Sequence, residues 1–497
     1  MNPWIIAMLE AIMISVAAPV LAQDAFALEK RAVAKSVERY GDLPLGAVIR
    51  TDERYNKDGL FLGPRGWDYW NRLENPKPYQ NPNLWPDKRP TYFIGQLAMP
   101  AGSSLTIRGR FPHARYFKFN LYKFEQNTFV ALPGASLAGY DIEPDSGSGN
   151  PFKVGANRLM KDRNYTIQVL ADHPPKNPAD YPKNTVYVGR EERPILAVLR
   201  IYVSDRGYDG GGWGPGDRPS LAGPGITYEG KLADGTLLSP EEVVKRFGRP
   251  LGFAPPPLTV EEWYRLVNSK HNDPRLTPTT APAQPDSQFE LFYGMKYTLV
   301  GAFKSPAERA KIKLQTEMQG GGDPTTQYMV NYLSRKFGPV YVLRARLPTF
   351  PDTFEGAKIM PSGQVQYWSV ATVASPPSGE LWDGVFDMMV PLDKSGCYTI
   401  VVSRPEDRPK NATRENGVAW IDWGPGEGLS DPRNRTDWGM LLMRFMVCHP
   451  DWDNSPAKAT KPGTAEAVMG PYYPKGYYTT KEQFEAEGIK ELEQSPK

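Results

Sequence analysis

The residues of this sequence best suited to chemistry are arginines at alternate positions. Arg108 and Arg110 stand two apart, as do Arg344 and Arg346, and residues two apart on a strand share a face. They lie opposite Leu105, Ile107 and Phe111 in one run, and opposite Tyr341, Leu343 and Leu347 in the other. Arg200 and Arg444 occupy matching places in two further apolar runs. They would widen each pair into a basic sheet face if the strands are neighbours. Guanidinium forks on such a face would grip a carboxylate, a sulfate or a sugar acid. The plainer reading is that they pair with cross-strand Asp or Glu. Tyr367 and Trp368 could stack on a sugar beside the second set, although a lobe of this size must also bury large rings.

Catalysis has thinner support. Asp383 and Asp387, near Trp382, are the acids to test first. Glycosidic cleavage needs two carboxyls facing each other across a cleft, which spacing along a chain cannot establish. His113, beside Pro112, could serve as a general base, and a lone loop histidine usually has no such role. The histidines (His113, His173, His271, His449) form no zinc-ligand pair. Asp141, Glu143 and Asp145 alternate as in a calcium loop, but Phe152 stands where the bidentate Glu would be, which favours a turn. There is no Gly-x-Ser-x-Gly elbow, phosphate loop or dinucleotide fingerprint, and no metal or cofactor is expected.

The elements that must position these residues come in two sets. Leu105 to Pro112 returns as Tyr341 to Pro348, and Tyr116 to Tyr122 as Tyr367 to Val373. Asn164-Tyr165-Thr166-Ile167 matches Cys397-Tyr398-Thr399-Ile400, and Ala197 to Val203 matches Leu441 to Val447 with Arg200 and Arg444 in register. Each run is short, rich in β-branched or aromatic residues, and bounded by Pro, Gly, Asn or Asp. The expected architecture is mainly β: two tandem homologous β-sandwich, jelly-roll-like lobes with a small α-helical insert. The expected boundaries are a signal peptide at 1–22, a helix and aromatic arm at 23–90, and lobe one at 91–224. A helical insert with a Pro-rich linker follows at 225–326, then lobe two at 327–450 and a tail at 451–497. Capping boxes mark helix starts at Ser239, Thr259 and Ser305, and a last one at Thr480 with Gln483.

The order of the strands Tyr116-Phe117-Lys118-Phe119-Asn120-Leu121-Tyr122, Tyr165-Thr166-Ile167 and Val198-Leu199-Arg200-Ile201-Tyr202 resembles a bacterial domain family of unassigned function. The likeness covers about half the chain and implies an exported or envelope-associated protein with a jelly-roll-like fold. Its motifs are structural and imply nothing about mechanism.

Composition agrees with many short strands. Of 497 residues, 50 are Pro and 46 are Gly, a mixture that favours turns over long helices. A net charge of +3 with no basic block argues against nucleic acid as partner. The apolar N-terminus ends in Val20-Leu21-Ala22-Gln23, a cleavage pattern for export to the periplasm or medium after Ala22, with an uncleaved anchor or amphipathic helix as the alternative. Cys397 opens one strand and Cys448 closes another. In an oxidising compartment they would bridge if those strands are antiparallel neighbours, and otherwise remain two buried thiols. The functional expectation is a polar or anionic ligand, such as a glycan, held between the lobes. The alternative is a hydrolase or lyase with an Asp/Glu and arginine set in that cleft.

Overall fold

The structure, a computed structural model, describes residues 68–70, 87, 89–125, 128–208, 212, 226–248, 289–294, 296–314, 322–373, 381–424 and 437–489. The signal segment, most of the aromatic arm and the Thr259 capping box lie outside these residues. The first ten strands are β1 (Asp68–Trp70), β2 (Thr91–Leu97), β3 (Ser104–Arg110), β4 (Ala114–Glu125), β5 (Thr128–Ala138), β6 (Asn164–Leu170), β7 (Thr185–Tyr187), β8 (Ile195–Ser204), β9 (Ile226–Lys231) and β10 (Leu237–Leu238). After them come β11 (Glu290–Leu291), β12 (Thr326–Ser334), β13 (Val340–Arg346), β14 (Tyr367–Val373), β15 (Leu381–Phe386), β16 (Cys397–Ser403), β17 (Ala419–Asp422), β18 (Trp438–Met446) and β19 (Lys475–Thr479).

They build four sheets, ordered β1-β2-β8-β4-β5 and β10-β9-β3-β6-β7 in the first sandwich, and β11-β12-β18-β14-β15 and β17-β16-β13-β19 in the second. The order repeats: β2-β8-β4-β5 corresponds to β12-β18-β14-β15, and β9-β3-β6-β7 to β19-β13-β16-β17. Even the parallel pairs correspond, β6 with β7 and β16 with β17. The segments around Arg108 and Arg344 therefore hold the same place in their sheets. Val203 and Val447, matched in sequence, both adopt left-handed backbone at φ 51° and 52°, a conformation rare for a β-branched residue.

Alternation sets the outer sheet of the first sandwich. Along β3, Leu105 and Ile107 point into the core while Thr106 and Arg108 face outward. The central strands of the other sheets follow a different rule. All of β8 (ILAVLRIYVS) and all of β18 (WGMLLMRFM) are buried. A strand with such a continuous apolar run is covered on both faces. One face lies in its own sandwich, and the other lies in a seam where β4 and β8 meet β14. One apolar cluster accordingly crosses the seam, joining Tyr116 and Tyr202 to Tyr367, Phe386 and Met443.

Three expectations need correction. Arg200 on β8 does not extend the face of Arg108 and Arg110 on β3, because β3 and β8 belong to different sheets, and Arg444 on β18 is likewise separated from β13. Cys397 and Cys448 are both free thiols. Cys397 starts β16 and Cys448 follows β18, strands of opposite sheets that are not neighbours, so the condition for a bridge fails. Segments assigned to the insert and the tail also contribute to the sandwiches: β9 pairs with β3, and β19 pairs with β13. Three of the four expected helix starts fall on described residues and are as expected. Ser239 and Glu242 box α1 (Pro240–Phe247), and Ser305 and Glu308 box α2 (Pro306–Arg309). After α3 (Ala465–Met469), Thr480 and Gln483 box α4 (Lys481–Glu487), whose Phe484 covers Val342 and Val401.

Candidate functional site

The densest polar chemistry lies in the seam, arranged as two matched halves. The backbone N–H of Asp87 donates to the Tyr92 hydroxyl at 2.9 Å, and that of Asp323 donates to the Tyr328 hydroxyl at 3.0 Å. Tyr92 is the register partner of Arg200, and Tyr328 of Arg444. Each carboxylate then crosses to the other sandwich. Asp87 accepts from the Ser369 hydroxyl on β14, and Asp323 accepts from Lys118 Nζ on β4 at 2.7 Å. Lys118 and Ser369 face Arg200 and Arg444 in the same register. The exchange is thus reciprocal, as in an isologous interface between two copies.

Other bonds close the seam around this exchange. Arg115 donates to Asp387 at 2.7 Å, with both side chains fully buried. Arg200 donates to Asn120 at 2.6 Å and to the Tyr122 hydroxyl at 2.8 Å, and Arg444 lies 3.6 Å from Asp87. The rings of Tyr202 and Tyr367 meet edge to face at 5.0 Å. Burial works to raise the Asp323 carboxyl, but Lys118, Arg200 and the Thr325 amide outweigh it and hold the group below its ordinary value. Buried tyrosines such as Tyr116 and Tyr202 are pushed well up by desolvation and stay neutral.

The remaining sequence candidates are placed as follows. Arg108 pairs with Glu229 at 2.9 Å, and Arg110 donates to the Lys161 carbonyl at 3.0 Å. Arg344 is bonded to Asp393 and Thr399, and Arg346 faces the Ser395 carbonyl. These four lie on outer faces of two separate sheets. Tyr367 and Trp368 are wholly buried, and Trp368 packs 4.8 Å from Tyr398. Asp387 also accepts from the backbone of Trp368 and Met388, so neither oxygen lacks a donor. Burial pushes its carboxyl up, while Arg115 and the two amides pull it down. Asp383 is buried, accepting from the Gly384 amide at 2.8 Å and the Asp422 amide at 2.9 Å. Among the described residues, no cluster of His, Cys, Asp or Glu could hold a metal.

No family model matches the chain, and no curated protein matches it. Among solved structures, it is similar to an uncharacterised protein from Burkholderia cenocepacia, with 12% identity, a TM-score of 0.40 and coverage of 93% of this chain and 90% of that one. It is also similar to the VPA0106 protein from Vibrio parahaemolyticus, with 13% identity, a TM-score of 0.32 and coverage of 81% and 92%. Likenesses this distant carry no functional argument. Among the described residues, no helix is long and apolar enough to cross a membrane.

One basic group stands apart from the seam. Arg163, at the turn into β6, is 2% exposed. Its Nη1 lies against the ring of His113, 2.9 Å from Nδ1 and 2.5 Å from Nε2, and its Nε has no hydrogen-bond partner. His113 stacks on Tyr208 at 4.1 Å. Sequence reasoning singled out His113 and Arg110 at this corner but missed Arg163, and it missed Asp87, Arg115, Lys118 and Asp323 in the seam. A usable signal for the seam existed, since an acid stands five residues before a tyrosine ahead of both β2 and β12.

Proposed function

We propose that this is an exported envelope protein, grown by duplication of one sandwich, that binds a polar or anionic ligand without transforming it. The observation that carries the reading is the state of the carboxylates. Asp383 and Asp387, the acids best placed in sequence for hydrolysis, are buried and fully bonded to backbone amides or to Arg115. A general acid or nucleophile needs an oxygen directed at substrate, whereas these oxygens are directed at the fold. The seam is likewise filled by its own ion pairs and rings, which moves the expected ligand from between the lobes to an outer corner. Export rests on the Val20-Leu21-Ala22 pattern.

The test is calorimetric titration of the whole protein with glucuronate and polygalacturonate, followed by recovery of the titrant. Saturable heat with unaltered titrant is the expected result. Cleavage of the polymer that disappears in a folded Asp387→Asn variant would replace this reading with the hydrolase or lyase one.

A further inference from the structure

Arg163 is a buried guanidinium that no carboxylate bonds among the described residues. Asp205 is the acid near enough to act on it, but both Asp205 oxygens are held by Arg158, at 2.6 and 2.8 Å. Among the described residues Arg163 makes no ion pair, and a buried cation without one is costly unless something else supplies the counter-charge. Desolvation and then Arg158 hold it down at about 10, far below its ordinary value.

The second sandwich provides the control. The Phe111 amide donates to the Arg163 carbonyl at 2.8 Å, and the Leu347 amide donates to the Gly396 carbonyl at 3.0 Å. The Asp205 amide donates to the His113 carbonyl, and the His449 amide donates to the Gln364 carbonyl. Gly396 and Gln364 thus stand where Arg163 and His113 stand. The same corner folds with glycine and glutamine at these two positions, so the fold itself does not demand the Arg163 and His113 side chains.

We propose that the corner formed by Arg163, His113 and Tyr208 in the first sandwich is a binding site for a small monovalent oxyanion, a carboxylate or sulfate monoester. This rests on the ligand-binding reading above and gives it a place. The unpartnered Nε and the adjacent Nη offer the parallel donors that a carboxylate accepts. The part-exposed His113–Tyr208 stack forms the outer wall of this corner. The charge count favours one negative charge: Arg158 is neutralised by Asp205, Arg110 is engaged at the rim by the Lys161 carbonyl, and the Arg163 charge remains.

Thermal unfolding of the full chain with acetate, glucuronate or methyl sulfate, at ionic strength held constant with chloride, tests the site. Inorganic phosphate serves as the dianion. A saturable rise in melting temperature is expected with the monoanions, and Kd should weaken about ten- to hundredfold in Arg163→Leu, the loss of a charged hydrogen-bonded pair. Ligand-free Arg163→Leu should be no less stable than wild type, because an unanswered buried charge has been replaced by an apolar side chain. His113→Gln, the residue of the equivalent corner, is read the same way should Arg163→Leu not fold. An equal rise in wild type and both variants would overturn the site and leave ligand binding elsewhere intact. No saturable rise in wild type would overturn both. Preference for phosphate over the monoanions would overturn the charge assignment.

Discussion

Asp323 shows how one carboxylate sets a pH dependence. Three donors converge on Oδ1: Lys118 Nζ at 2.7 Å, the Thr325 amide at 2.9 Å and the Thr325 hydroxyl at 2.8 Å. The folded carboxyl is held below its ordinary value despite burial. A depressed acid contributes stability that is fully present above the unfolded value, about 4, and lost as pH falls through the lower folded value. Asp323→Asn should cost about 3–5 kcal/mol at neutral pH, because Lys118 is left buried without its partner. In urea unfolding series from neutral to acid pH, the gap between wild type and variant should begin to narrow below about pH 4 and close once the pH passes the lower folded value, where wild type also loses the charge. A gap that holds constant would mean the bond is not ionic.

At the scale of elements, the strand pattern carried most of the fold. Alternating runs gave β3 and β6, and continuous apolar runs gave β8 and β18, because burial on one face or two leaves different periods in the residues. Strand partners were harder to read. Cys397 starts one strand and Cys448 follows the end of another, which would lie side by side only in antiparallel neighbours, and the sheets separate them, since order along a chain does not say which sheet a strand joins. The outer arginines were legible in face but not in partner, because Glu229 comes from β9, far along the chain from Arg108. β19 was hidden for a local reason: Lys475-Gly476-Tyr477-Tyr478-Thr479 is short and carries a glycine. That glycine is required. A Cβ at Gly476 would lie 2.5 Å from the Tyr341 ring and hydroxyl and 2.6 Å from the Val342 carbonyl. Gly476→Ala should therefore lift β19 from β13 at a cost of about 1–3 kcal/mol. Hydrogen exchange should then accelerate across 475–488 and leave β3 and β6 unchanged; protection equal to wild type would show that the strand shifts to admit the methyl.

For the whole molecule, the reciprocal seam argues that two sandwiches behave as one cooperative unit. Each has its own core, the first around Phe117, Tyr165 and Leu199 and the second around Leu343, Val370 and Ile400. Either could in principle melt alone, as sandwiches of this size do. What couples them is a buried set in which each half satisfies charges of the other: Arg115 with Asp387, Lys118 with Asp323, and Asp87 with Ser369. Opening the seam in wild type parts these pairs and uncovers the apolar rings around them, so calorimetry should give one transition. Arg115→Ala with Asp323→Ala reverses the balance, because Asp387 and Lys118 are then buried alone and gain hydration when the sandwiches separate. Two transitions are expected in that variant. Replacing both members of one pair, as in Arg115→Met with Asp387→Leu, removes the charges without stranding any and should keep a single transition. A single lowered transition in the first variant would mean that the cores depend on each other directly, and that the crossing carboxylates follow the assembly of the two halves instead of enforcing it.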